Sequence, residues 1–331
     1  MHLLIIGAAG MIGRKLAEKV AAAGRIGDVP VKRMTLADVV EPDVAADFAG
    51  MRVVTATDLS ETGAAEQLIA DRPDIVVHLA AVVSGEAEAD LEKGYRVNLD
   101  GTRALFDAIR RLDDYTPRVV YASSLAVYGA PFPDRIGDDF LLAPLTSYGA
   151  QKAMGELMLD DYSRRGLFDG VGLRLPTICI RPGKPNKAAS SFFSGILREP
   201  LNGQEAILPV SDDARHWFAS PRAAVGFLEH AATMETAILG PRRNLTMPGL
   251  SATVGDQIEA LREVAGDRAV DLIRREPDPV IDRIVAGWPR DFDAARAHKA
   301  GFRAETSFEE IIQIYIADEM DGRPVGVQRT A

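Results

Sequence analysis

The sequence predicts an α/β protein, a doubly wound parallel sheet followed by a smaller C-terminal domain. Three observations predict it. Six short aliphatic runs recur through the first half, with amphipathic helical patterns between most of them. A glycine-rich turn follows the first run directly. Beyond Arg181 the alternation loosens into loops punctuated by Pro and Gly.

The runs at residues 3–6, 34–37, 53–55, 75–79, 119–122 and 171–175 are near-continuous in apolar side chains, the pattern of strands covered on both faces. The helices between them fall at 11–23, 64–71, 88–112 and 147–165, each amphipathic or closely followed by Gly, Pro or Asp. Alternating strands and helices imply a parallel sheet with helices on both sides. The first domain is therefore set at 1–180. A substrate or lid domain is expected mainly over 181–321, with helices near 221–234, 253–265 and 308–316, and a loose tail over 322–331.

Composition removes several function classes. Of 331 residues, 38 are Lys or Arg and 48 are Asp or Glu, so the net charge of -10 repels nucleic acid and anionic membrane surfaces. The first apolar run ends at Gly7, too short for a signal segment or a membrane span. One cysteine, Cys179, allows no internal disulfide and fits a reducing compartment, so a cytoplasmic site is expected. The five histidines show no metal-ligand spacing, and no metal is expected.

The turn Gly7-Ala8-Ala9-Gly10-Met11-Ile12-Gly13 follows a strand and opens a helix, the context of a pyrophosphate site. Gly7 permits the tight turn, Gly10 lets the backbone approach phosphates, and Gly13 allows close packing, while the N–H groups of the helix face the anion. A purely structural glycine turn is the alternative. Asp38, ending the second strand, is placed to accept hydrogen bonds from ribose hydroxyls and to repel a 2′-phosphate, which favours NAD over NADP. A turn aspartate is its bland reading.

Tyr148 and Lys152 share one face of a helix. A free phenol titrates near pH 10, too high for a base at neutrality, and an adjacent ammonium favours the phenolate. On exposed helices the same spacing also arises by chance. It gains weight from Ser124, at the carboxyl end of the fifth strand, where open α/β sheets bind ligands and a hydroxyl can steady the reacting oxygen.

Together these residues resemble the extended short-chain dehydrogenase/reductase family, which includes nucleotide-sugar epimerases and dehydratases and is built on a Rossmann fold. The resemblance extends to Asp58-Leu59, beside the adenine in that family, and to His78-Leu79-Ala80-Ala81, beside the cofactor. It also covers Asn98 to Thr102, Ser124 to Gly129, and Arg174-Leu175-Pro176, whose proline borders the nicotinamide. It implies NAD as cofactor, Ser124 and Tyr148 as the polarising pair, Lys152 also holding the nicotinamide ribose, and a homodimer joined through residues 88–112 and 147–165. His78 reads as a packed structural histidine. Asn98 reads either as part of a water relay near the cofactor or as a tie to a neighbouring strand.

Within the family, dehydratases carry Thr-Asp-Glu where this chain has Ala122-Ser123-Ser124, so dehydration is disfavoured. The stretch from Thr177 to Asn186 departs from the Tyr-Gly-Pro of sugar epimerases, although Arg215 stands where sugar-nucleotide enzymes hold phosphates. The overall pattern is similar to members that oxidise a four-carbon sugar acid, D-erythronate, at C2 with NAD. Such an acid needs a cationic pocket for its carboxylate. Arg181, Lys184, Asn186 and Arg215 are the candidates, and a solvated surface position is the alternative for each. An epimerase, or a dinucleotide-sensing module without catalysis, are the alternative readings.

Overall fold

The computed structural model describes residues 1–44, 46–183, 189–320 and 322. Seven strands form one sheet: β1 (His2–Ile6), β2 (Arg33–Asp38), β3 (Met51–Ala56), β4 (Ile75–His78), β5 (Arg118–Ser124), β6 (Asp169–Leu175) and β7 (Asn244–Thr246). Their order is β3-β2-β1-β4-β5-β6-β7, and every pairing is parallel. All five residues of β1 are buried, because helices cover both faces of the sheet and no polar side need be kept.

The order reverses between β1 and β4, the switch point where such sheets open a crevice. Register fixes what meets there. Ile6 pairs with His78, His78 with Tyr121, and Ser124 with Leu175. The residues that follow these strands, namely Gly7, Ala80, the Ser124 turn and Pro176, therefore line the carboxyl end of the sheet.

Two features depart from the predicted elements, an added strand and a break within 88–112, while the helix predicted near 221–234 forms. The strand β7 was not among the six expected, and it pairs Leu245 with Leu173 and Thr246 with Arg174 of β6. The helix Pro221–Thr233, capped by Ser220, packs Phe227, Leu228 and Ala231 into the same core as Leu3, Ile5, Val120 and Val171. The chain thus comes back to the first sheet after residue 220. Where one helix was expected over 88–112, the structure has short helices Ser84–Ala89 and Leu91–Gly94, a π-helical turn Tyr95–Asp100, and the helix Gly101–Arg110. Asp90 causes the restart, since its carboxylate accepts from the Lys93 N–H at 3.0 Å as an N-cap.

A second core gathers Ile180, Phe193, Leu197, Phe218, Val254, Leu261, Phe308 and Ile312. His216 lies against it, its Nε2 2.7 Å from the Thr177 hydroxyl and its Nδ1 2.8 Å from the Pro289 carbonyl, with the ring stacked parallel to Phe193. Burial pushes His216 down to about 4. The predicted helices near 253–265 and 308–316 form as Val254–Ala265 and Phe308–Glu319.

Candidate functional site

The glycine turn is shaped by contacts that leave no room for side chains. Gly7 has φ 92°, and a Cβ there would stand 2.6 Å from the Ala80 nitrogen. At Gly13 a Cβ would stand 2.2 Å from the Gly7 carbonyl oxygen, so only glycine lets the helix start this close to the turn. Gly10 differs. It is exposed, and a Cβ would meet nothing but that oxygen, at 3.3 Å. Gly10 also caps the helix Met11–Ala23 without any side-chain bond, and the first turn, with Met11 and Ile12 half-buried, holds no acid. The free N–H groups and positive helix end are thus open to an anion, and the cradle fits the pyrophosphate of NAD.

These contacts give a paired prediction. Gly13→Ala is expected to lower stability by about 1–3 kcal/mol through overpacking. Gly10→Ala is expected to leave the thermal midpoint unchanged while NAD binding weakens about tenfold, the effect of a methyl placed in the phosphate path. Calorimetric titration and thermal melts separate the two. Equal NAD affinity in Gly10→Ala and wild type would remove the phosphates from this loop.

Asp38 accepts from the Ala9 N–H at 2.9 Å and the Val39 N–H at 2.7 Å, so it braces the glycine turn and keeps a partly exposed carboxylate at the end of β2. Asp58 is held by Ser60 through N–H and hydroxyl bonds of 2.9 and 2.7 Å. It lines a cavity of about 310 Å³ with Val39, Thr57, Glu61 and Gln67, and Leu59 beside it is buried.

The helix Ser147–Arg164 carries Tyr148 and Lys152. Thr146 caps it, accepting from the Gly149 N–H at 3.1 Å. A Cβ at Gly149 would stand 2.1 Å from the Ala126 oxygen, so glycine lets this helix lie directly on the turn after Ser124. That contact brings the phenol beside the Ser124 hydroxyl. Ser124 Oγ in turn accepts from the Ala126 N–H at 3.1 Å. Lys152 is buried, donates to the Ala122 carbonyl at 2.8 Å, and stands 5.7 Å from the centre of the Tyr148 ring.

Burial pushes the Tyr148 phenol above its ordinary range, while Ser124 and the Arg181 guanidinium pull it back. Arg181 thus joins Lys152 as a cation facing the phenol. Burial brings Lys152 down to about 8 against the pull of Glu156. Arg181 is half-buried, and its guanidinium meets no carboxylate among the described residues, although its N–H donates to Ser194 and its carbonyl accepts from Arg198.

The remaining candidates scatter. Arg215 is exposed, 3.9 Å from Asp256 and reaching Ser251. Lys184 and Asn186 lie outside the described residues. Pro176 is buried directly after β6 and Ala80 lies against Gly7. The Asn98 amide is fully spent: its Oδ1 accepts from the Val82 N–H at 2.8 Å, and its Nδ2 donates to the Val82 carbonyl and to Gln151 Oε1. It ties the loop after β4 to the Tyr148 helix. His78 is buried, 2.9 Å from the Thr102 hydroxyl, and pushed down to about 3 by burial and by Lys152.

Sequence reasoning missed one buried group. Glu156 takes a bidentate bond from Arg174, with Nε at 2.9 Å and NH2 at 2.7 Å, and a hydroxyl bond from Ser123 at 2.5 Å. Arg174 also donates to Tyr128, which is bonded to Thr246 of β7. The available signal was the acid four residues beyond Lys152, on the same helix face.

Known proteins resemble this chain over nearly its whole length. The chain is 48% identical over 322 residues to the D-erythronate dehydrogenase of Cupriavidus necator, covering 96% of this chain and 98% of that one. It is 39% identical to the D-erythronate dehydrogenase of Haemophilus influenzae, over 97% and 100% of the two chains. A solved structure described as the nucleoside-diphosphate-sugar epimerase from Agrobacterium tumefaciens superposes with a TM-score of 0.96 at 62% identity, covering 97% of this chain and 95% of the other. The model of the NAD dependent epimerase/dehydratase family matches residues 3–221, and the chain belongs to that family.

Proposed function

We propose that the protein oxidises a small sugar acid, D-erythronate, at C2 to the corresponding 2-keto acid. NAD, when bound at the glycine turn, supplies the hydride acceptor. Met11 and Ile12 offer backbone N–H groups to its phosphates, which Gly10 lets approach, and Asp38 offers a carboxylate to the adenosine ribose. Asp58, Leu59, Ala80 and Pro176 border the rest of the cofactor, with Asn98 holding the loop beside it.

Tyr148 takes the proton of the C2 hydroxyl as phenolate, Ser124 donates to the oxygen as it becomes a carbonyl, and Lys152 holds positive charge behind the phenol. The observation that carries the substrate reading is Arg181. A half-buried guanidinium with no carboxylate opposite it among the described residues, close enough to act on the Tyr148 phenol, is costly alone and suited to a substrate carboxylate next to the reacting carbon. The names of the two relatives point to the same acid.

The description of the Agrobacterium tumefaciens structure favours a second reading, epimerisation of a sugar nucleotide. Arg215, the residue that reading needs on the phosphates, instead faces Ser251 and Asp256 at the surface. A homodimer completes the proposal, supported by Leu91 and Leu157, which are 57% and 64% exposed on the segments expected to pair. The lone, buried Cys179 is consistent with work in the cytoplasm.

The test is NADH formation at 340 nm across C4 to C6 aldonic acids, with UDP-glucose and UDP-galactose alongside. D-erythronate is expected to turn over and the sugar nucleotides to give nothing. Arg181→Gln is expected to lower kcat/KM for the acid by about a hundredfold, the loss of a buried ion pair to substrate. Interconversion of UDP-galactose without net NADH, and no response to any acid, would move the protein to the epimerases.

A further inference from the structure

Glu156 is 1% exposed, one helical turn beyond Lys152, and takes no part in the proton transfer from the sugar acid. Its partners all adjoin the site. Ser123 precedes Ser124, Arg174 stands two residues before Pro176, and the Asn244 side chain of the β7 strand donates to the Glu156 carbonyl at 3.1 Å. One carboxylate therefore fastens the Tyr148 helix to the ends of β5 and β6.

Lys152 is buried with no carboxylate within ion-pair distance among the described residues. The titratable and charged groups that face it are Glu156 and Tyr148 on its own helix, His78 on β4 and Tyr121 on β5, whose ring centre is 5.0 Å from Nζ. Arg174 on β6 reaches it only through Glu156. His78 is neutral near pH 7, being held at about 3, and both tyrosines are held above their ordinary range. Lys152 holds the Ala122 carbonyl and Glu156 holds the adjoining Ser123 hydroxyl, so the two side chains meet the same strand one residue apart. In the resting enzyme, before Tyr148 has given up its proton, Glu156 is thus the anion available to a buried ammonium that is otherwise expensive to keep charged.

We propose that Glu156 is a positioning residue of the reaction, whose buried carboxylate keeps Lys152 in its ammonium form, and that Arg174 limits this effect by taking up part of the same charge. The proposal rests on the Tyr148 dehydrogenase reading. It predicts opposite consequences for two substitutions that break the same ion pair. Glu156→Gln removes the anion, so Lys152 loses its proton at lower pH. Arg174→Gln leaves the anion unshared, so Lys152 keeps its proton to higher pH. A merely structural pair makes both variants behave alike.

The test follows the Lys152 Nζ signal in 15N-lysine protein against pH, assigned with Lys152→Arg, after circular dichroism has established folding. Glu156→Gln is expected to move the titration down by about one pH unit and Arg174→Gln to move it up. The alkaline fall of kcat with D-erythronate is expected to follow in the same directions. Shifts of the same sign, or none, overturn the proposal. If either glutamine variant does not fold, Glu156→Asp withdraws the charge by one methylene. It is expected to shift the titration down by a smaller amount, and an unmoved titration there overturns the proposal equally. If the wild type oxidises no sugar acid, the functional reading fails while the Nζ titrations still decide the role of Glu156.

Discussion

Tyr148→Phe is expected to lower kcat for the sugar acid by about a thousandfold, within the range of about 10²–10⁴ that a positioned acid or base contributes. The phenol stands beside Ser124 and under the influence of Arg181, and phenylalanine keeps the ring beneath Lys152 while removing the proton acceptor. The glycine turn is untouched, so the dissociation constant for NAD is expected to stay within a factor of a few. Steady-state rates and calorimetric titration with NAD check both halves. Activity within tenfold of wild type would place the base elsewhere.

The protein is also expected to lose stability between pH 6.5 and 5. His78 and His216 are buried and held at about 3 and about 4, both below the ordinary value of 6.5. Above pH 6.5 both are neutral whether the chain is folded or not, and they add no pH dependence. As pH falls below 6.5 the unfolded chain binds a proton at each while the native state does not. Stability therefore falls with pH, and the loss levels off only below the native values. At pH 5 each histidine accounts for about 2 kcal/mol, so the pair removes about 4 kcal/mol. Urea midpoints at pH 7.5, 6 and 5 measure this, and His216→Asn, which takes away one of the two protonations, is expected to halve the slope. A midpoint that stays level from pH 7.5 to 5 would contradict the buried, neutral state of both rings.

What the sequence revealed follows from how local each signal was. The strands β1, β2 and β4 to β6 are legible because both faces of each are covered, which makes them short apolar runs, while β3, a half-exposed edge strand, shows only through Val53 and Val54. The glycine turn is legible because strand, turn and helix are contiguous. Asn244–Thr246 offers three residues, two of them polar, and becomes a strand only because the edge of β6 is there to pair with it. The break at Asp90 depends on a cap within an otherwise helical pattern. The Tyr148–Lys152 pair was visible as a spacing, but Arg181 as a cation acting on the phenol was not, since residue 181 meets residue 148 only in the folded chain. The Glu156–Arg174 pair was hidden for the same reason, its members standing 18 positions apart.

The place of Asn244–Thr246 in the sheet bears on how the chain is made. A ribosome delivers β1 to β6 well before this strand, and until it emerges β6 has an unpaired edge of backbone N–H and C=O groups. A nascent chain halted between residues 180 and 243 therefore carries an adhesive margin beside Arg174 and the strand that leads into Pro176. Synthesis of the C-terminal third closes that margin, so release of a non-aggregating molecule waits on residues 244–246 rather than on completion of the nucleotide-binding turn.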